Sequence, residues 1–186
     1  MTLRQIRDSL MILIEDAAEA EAYLDANPNA QFARRSYIRS IFSCIEGTIS
    51  ILKDVCLNVE PVKGKKIMSV ADYALLKEES YELKNNGEPK VSAKFLRLPD
   101  NLKFTFKLIN KLFRSDIDLK VGKKAWTDFV ESVEIRNRIT HPKKAASFAI
   151  TDNEIERCKR TSSWFNQLTS ATIQAFLKSG EQGNTK

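Results

Sequence analysis

Apolar residues recur at spacings of three and four along most of this chain, the spacing that lines one face of an α-helix. Leu3, Ile6, Leu10, Leu13, Ile14, Ala17 and Leu24 predict a first helix over about residues 3–26. Asn27-Pro28-Asn29 should end it, because proline is common just past a helix C-terminus. A second helix is expected from about 30 to 58, with the stripe Ile38, Ile41, Ile45, Ile49 (with Thr48), Leu52, Cys56 and Val59. Two long helices joined by a short polar link pack most simply as antiparallel neighbours.

The pattern then breaks. Pro61 to Lys66 reads as a basic loop, and Ser69 with Asp72 resembles a capping box opening a short helix over about 70–84. Asn85-Asn86-Gly87-Glu88-Pro89 is a turn signal, and Val91 to Leu98 suits a brief strand or an extended connection. Helical spacing returns at Leu102, Phe106, Ile109, Leu112 and Phe113, with Pro99 near the start. After a polar break at Asp116 to Gly122, a further helix from about Lys123 carries Trp126, Phe129, Val130 and Val133 toward His141-Pro142. Proline at 142 biases His141 out of the α region, so the histidine should sit at or just past the helix end. Thr151 with Glu154 makes a second capping box before Ile155, Cys158, Phe165, Leu168, Ile173 and Phe176, and that helix should fray near Gly180. The expected fold is all-α, an up-and-down bundle of four long helices with one or two minor helices. A variable, irregular or extended insertion occupies 60–100, one domain spans 1–180, and a polar tail covers 181–186.

Composition changes this picture little. The chain has 186 residues, 42% hydrophobic and 29% charged, which suits one globular core. No apolar run is long enough to span a bilayer, so no membrane partner is expected, and Met1-Thr2-Leu3-Arg4 does not open like a secretory leader. Cys44, Cys56 and Cys158 fall at apolar helical positions, as buried free thiols in a reducing cytoplasm would. With one histidine and scattered cysteines, neither a metal site nor a cofactor is expected.

Charge is more informative. The formal net charge is +6, but residues 1–29 carry six acids against two arginines, while 103–144 carry eleven Lys or Arg against five acids. A basic stretch of this kind favours a polyanionic partner.

Candidate chemistry gathers at the end of the fifth helix. At roughly 100° per residue, the stripe Trp126, Phe129, Val130, Val133 continues onto Asn137 and Thr140, flanked by Arg136 and His141. A guanidinium and an amide on that side need partners or water, so the helix end should emerge into a cleft or onto a second subunit. Asn137 and His141 share a face at i,i+4, which suits the amide to orienting the imidazole. The helix C-terminus favours the charged imidazole and Arg136 opposes it. Histidine beside a fixed cation suits metal-independent cleavage of RNA by its own 2′-hydroxyl. The imidazole moves a proton, and the guanidinium stabilises the charge building on phosphorus. The competing reading is a histidine cap, with Arg136 paired to Glu131 or Glu134.

The run Val133-Glu134-Ile135-Arg136-Asn137-Arg138-Ile139-Thr140-His141-Pro142 resembles the signature of the HEPN (higher eukaryotes and prokaryotes nucleotide-binding) domains. That signature is an arginine, commonly followed by a polar residue, then a histidine after four to six positions on a late helix. Arg136 and His141 match it with four residues between them, and Asn137 matches the polar position. Arg34-Arg35-Ser36-Tyr37-Ile38-Arg39, Phe42 and Ile45-Glu46-Gly47 resemble the early helix of some bacterial members.

The resemblance implies a helical bundle that often forms a homodimer, bringing two motifs together across a cleft. It implies a metal-independent endoribonuclease of toxin–antitoxin or other defence systems, with an antitoxin or other protein partner. The alternative is a non-catalytic module binding a nucleotide, RNA or a protein. His141 is then the acid or base, Arg136 stabilises the transition state, and Asn137 positions. On the second helix, Glu46 shares a side with Phe42 and Ile49, where it can pair with Arg136 or polarise His141, or more blandly lie in solvent or pair with Arg39 or Lys53. Arg34, Arg35, Arg39, Lys143 and Lys144 are candidate phosphate contacts. Gly47 inside a helix costs about 1 kcal/mol relative to alanine, which points to a close approach of another backbone or subunit there.

Overall fold

A computed structural model describes residues 3–59 and 67–183. The expected basic loop from Pro61 to Lys66 lies outside the described residues, as does the end of the polar tail. Among the described residues six helices, α1 (Leu3–Ala26), α2 (Gln31–Leu57), α3 (Val70–Leu76), α4 (Leu98–Phe113), α5 (Lys124–Thr140) and α6 (Asp152–Gly183), surround one core. A hairpin of β1 (Glu79–Leu83) and β2 (Pro89–Ala93) separates α3 from α4, and a short 3-10 turn at Ala145–Phe148 precedes α6. No helix among the described residues is long and apolar enough to cross a membrane.

The architecture is the expected helical bundle with an insertion, with two corrections. Five helices exceed four turns, rather than four, because the segments before and after the Asp116 to Gly122 break are both full-length. The insertion contains a regular hairpin. The helix expected to reach residue 84 stops at Leu76 because Glu78 takes a left-handed conformation (φ 54°), which an α-helix cannot carry on through. The strands then pair antiparallel, with Tyr81 opposite Val91 and Leu83 opposite Pro89, around a turn whose Gly87 sits at φ 80°.

The central element is α2, whose stripe residues Ile38, Ile41, Ile45, Ile49, Leu52 and Cys56 are all buried. It packs against α1 along its length and also touches α3, α4, α5 and α6. Gly47 explains the closeness to α1, since a Cβ there would lie 2.7 Å from Cδ1 of Leu13. Both predicted capping boxes form. Ser69 Oγ accepts from the Asp72 N–H at 3.1 Å, and Thr151 Oγ1 accepts from the Glu154 N–H at 3.3 Å, each with the reciprocal carboxylate bond.

On α6 the expected stripe holds through Leu168, but Ile173 is exposed and α6 continues past Gly180 to Gly183. Thr161, Thr169 and Thr172 are buried instead, and the last two hydroxyls bond the carbonyls of Phe165 and Leu168. Trp126, Phe129 and Trp164 form an aromatic cluster in the core, with centroids 5.4 to 6.3 Å apart.

Candidate functional site

The predicted orientation of α5 needs correction. Its buried side runs through Phe129, Ser132, Val133, Ile135 and Ile139, whereas Asn137 is half-buried and Thr140 is exposed. The buried arc is wide because α5 packs on both α6 and α2, and Ser132 reaches the buried Thr161 hydroxyl of α6 at 3.0 Å. Arg136 and Asn137 therefore border the core. Thr140 turns its hydroxyl back onto the Arg136 carbonyl at 2.8 Å.

Along the contact with α2, rising numbers on one helix meet falling numbers on the other. Arg39 approaches the Ile139 carbonyl at 3.5 Å, and the Phe42 ring lies 5.8 Å from the Arg136 guanidinium carbon. One turn further along α2, Glu46 forms an ion pair with Nη2 of Arg136. Nη1 of Arg136 donates to Oδ1 of Asn137 at 3.1 Å. The α2 residues Arg39, Phe42 and Glu46 share a face at i,i+3 and i+7, so helix geometry alone aligns them with the last turns of α5. Burial lowers the pKa of Arg136; a guanidinium nonetheless stays charged in proteins, so the group is a cation. The partner of Arg136 is thus Glu46, and neither Glu131 nor Glu134. Glu131 pairs with Arg157 of α6 at 2.8 Å.

His141 closes α5 as its C-terminal cap. Its φ of −121° and ψ of 63° lie outside the α region, as the following proline requires, and its N–H donates to the Asn137 carbonyl at 2.9 Å. The side chain is exposed, as are Lys143 and Lys144 beside it.

Arg136 and Asn137 form part of the wall of a cleft of about 1060 Å³. Glu46, Ile49 and Lys53 of α2 line one side, Glu78 and Glu79 the start of the hairpin, and Phe95 to Asn101 the approach to α4. Trp126, Val130 and Val133 supply an apolar flank. His141 is not part of this lining; it lies beyond the helix end.

Sequence reasoning missed the far end of the cleft. Lys53 is buried and pairs with Glu78 at 2.7 Å, and Asn101 donates to the same carboxylate oxygen at 3.2 Å. Lys53 follows Glu46 by two turns on the same side of α2. That spacing was a readable signal, but its partner comes from a segment whose course the pattern did not resolve.

The basic candidates separate. Arg34 is buried and donates to the carbonyls of Pro28 (2.7 Å) and Ile150 (2.8 Å) and to the Asp152 carboxylate (2.5 Å), so its guanidinium ties α2 to the start of α6. Arg35 is half-buried, bonded to the Phe148 carbonyl at 3.2 Å with its guanidinium 5.7 Å from that ring. Arg39 is exposed beside the end of α5. Of the candidate phosphate contacts, Arg34 is thus buried and engaged within the chain, while Arg39, Lys143 and Lys144 are exposed near the end of α5.

The cysteines are free and buried. Burial pushes Cys56 up to about 12 and Cys158 to about 11, and also raises Cys44. Among the described residues no group of His, Cys, Asp and Glu is arranged to hold a metal ion. Comparison of the chain with protein-family models, with characterised proteins and with solved structures finds no match in any of the three.

Proposed function

We propose that this chain is a metal-independent endoribonuclease, cutting single-stranded RNA by attack of its 2′-hydroxyl. The observation that carries the reading is the linked set Glu46, Arg136 and Asn137, placed a little over one helical turn before the free imidazole of His141. Arg136 has five N–H donors, and its two contacts within the set use two of them. The remainder suit the oxygens of a pentavalent phosphorus. Glu46 fixes the guanidinium in place and, being 41% exposed, can yield it to a phosphate without stranding a buried charge.

In this reading the 2′-oxygen bonds to phosphorus and the bond to the 5′-oxygen breaks, leaving a 2′,3′-cyclic phosphate and a 5′-hydroxyl. His141 takes the proton from the nucleophile or supplies it to the leaving oxygen. Arg39, Lys143 and Lys144 supply positive charge around it. The biological setting belongs to the resemblance with HEPN domains: a toxin or defence-system component of the bacterial cytoplasm, acting as a homodimer and held in check by a protein partner.

The experiment is cleavage of single-stranded RNA in EDTA by wild type, Arg136→Ala and His141→Ala chains. Both substitutions should reduce the rate by about 100-fold or more. Undiminished cleavage by both variants overturns the assignment.

A second reading rests on a different observation, that the large cleft is lined by Arg136 and Asn137 and not by His141. A non-catalytic module would bind a nucleotide or RNA there. It would lose affinity with Arg136→Ala, keep it with His141→Ala, and cut nothing.

A further inference from the structure

The hairpin carries its apolar side outward. Tyr81, Leu83 and Val91 are 57%, 79% and 54% exposed, whereas Ser80 and Ser92 on the opposite face are half-buried and share a 3.0 Å hydrogen bond. A two-stranded sheet with such a face is marginal in water without a partner. Among the described residues no third strand lies beside it, so both edges are open.

The two edges differ. The Lys94 N–H bonds the Glu78 carbonyl at 2.7 Å and the Lys84 N–H bonds the Glu88 carbonyl at 2.9 Å, so even-numbered residues of β1 face β2. The N–H and C=O groups of Glu79, Tyr81 and Leu83 then point out along the free edge of β1. On β2 the outward positions are Pro89, Val91 and Ala93, and Pro89 has no N–H to give. The edge of β1 is the uninterrupted one.

We propose that β1 pairs antiparallel with β1 of a second copy of this chain, the two Tyr81 residues facing each other on the two-fold axis. Charge selects both occupant and register. Centred on Tyr81, the pairing sets Glu78 opposite the partner's Lys84 and Ser80 opposite the partner's Glu82, with no like charges face to face. Centring on Ser80 sets Glu78 against the partner's Glu82 twice, and centring on Glu82 sets that residue against itself. Centring on Leu83 also sets Glu82 opposite the partner's Lys84, but it lays the rest of β1 against the partner's turn. Like charges directly opposite destabilise an antiparallel pair and opposite charges stabilise it, so the Tyr81 register is the one that pairs all five residues of β1 with no like charges opposed. The product is a four-stranded sheet with Tyr81, Leu83 and Val91 of both copies on one face. Glu78 also lines the cleft beside Lys53, so each partner brings its Lys84 to the other's cleft rim. The inference is independent of whether RNA is cut.

The test is sedimentation of the full chain with three variants. Wild type should be a dimer at about 100 µM, where micromolar affinity populates it. Tyr81→Pro removes the central outward N–H and should give a monomer with unchanged helical circular dichroism. Under mild oxidation Tyr81→Cys should link two copies by a disulfide. Lys84→Cys should not, because two copies of position 84 lie about 20 Å apart in this register. A monomeric wild type, a dimer that survives Tyr81→Pro, or equal linking of the Lys84→Cys and Tyr81→Cys chains overturns the proposal.

Discussion

Arg136 is held between a carboxylate and an aromatic ring of the same helix: Glu46 pairs with its guanidinium, and Phe42, one turn earlier on α2, lies under it. The two contacts differ in exposure and so in worth. Glu46 is 41% exposed, and Glu46→Gln should cost less than about 1 kcal/mol. Arg136→Ala also removes the packed stem and the ring contact, and should cost about 1–2 kcal/mol. Urea midpoints of the two variants and their double mutant check this, with non-additive losses expected because the side chains touch.

Arg34 gives a larger effect with no functional content. Arg34→Ala strands the Pro28 carbonyl, leaves the Ile150 carbonyl to Gln31 alone and unpairs Asp152, and should destabilise by about 2–3 kcal/mol. Arg34→Lys should recover little, since an ammonium cannot reproduce the fork geometry. Arg39→Ala should change stability by less than about 0.5 kcal/mol while weakening any RNA affinity. Thermal unfolding and filter binding on the same preparations separate the two arginines.

Gly47 and Leu13 form a pair whose sign depends on context. Gly47→Ala gains about 1 kcal/mol of helix propensity but drives Cβ into the Leu13 side chain, a strain of about 1–3 kcal/mol. The expected net effect is neutral to destabilising by about 2 kcal/mol. In a Leu13→Ala background the same change should become stabilising, and a double-mutant cycle in guanidinium reads the reversal.

Asp128 sets an acid limit. It is buried, and the hydrogen bonds from Arg160 (2.9 and 3.2 Å) hold its carboxyl below the usual range, with Lys124 contributing. A lowered folded pKa contributes stability that is present above the unfolded value of about 4 and is lost as pH falls through the folded value. Asp128→Asn should therefore flatten the acid limb of the stability–pH curve below about pH 4 and lower stability at neutral pH. The thiols work in the other direction. Cys56 and Cys158 are raised, so their contribution is complete below about pH 8.5 and is lost as pH rises toward their folded values of about 12 and 11. Thiol-reagent labelling should proceed only at the rate of global opening.

The long helices were legible because their apolar residues are many and regularly spaced. Ile38 through Cys56 on α2 mark a single buried stripe, and the observed bounds of α1 match the expected ones. The turn of α5 was misjudged because four apolar residues were extrapolated as a narrow stripe, while two neighbouring helices bury a wide arc that includes Ser132 and Asp128. Ile135 and Ile139 lay in the sequence, outside the assumed line. The hairpin was unreadable as a core strand pair because its alternation is turned outward, with Tyr81 and Val91 exposed. In the site, Arg136, Asn137, Glu46 and His141 were all visible as residue types. The end of α5 at His141 was legible from Pro142; its separation from the cleft was not, because the opposite wall is built by Glu78, Glu79 and Phe95 to Asn101, whose course the apolar spacing does not give.

The segment following His141 is fastened from three sides. Gln31 holds both the N–H (2.8 Å) and the C=O (3.0 Å) of Ile150, Arg34 grips Ile150 and Asp152, and Arg138 reaches the carbonyls of Ser147 and Ala149 and the Glu154 carboxylate. The histidine thus stands between a packed helix and an anchored connection, and its remaining freedom is two side-chain rotations. A group that docks against the imidazole has no loop to order, and the entropy lost on contact is that of a single side chain.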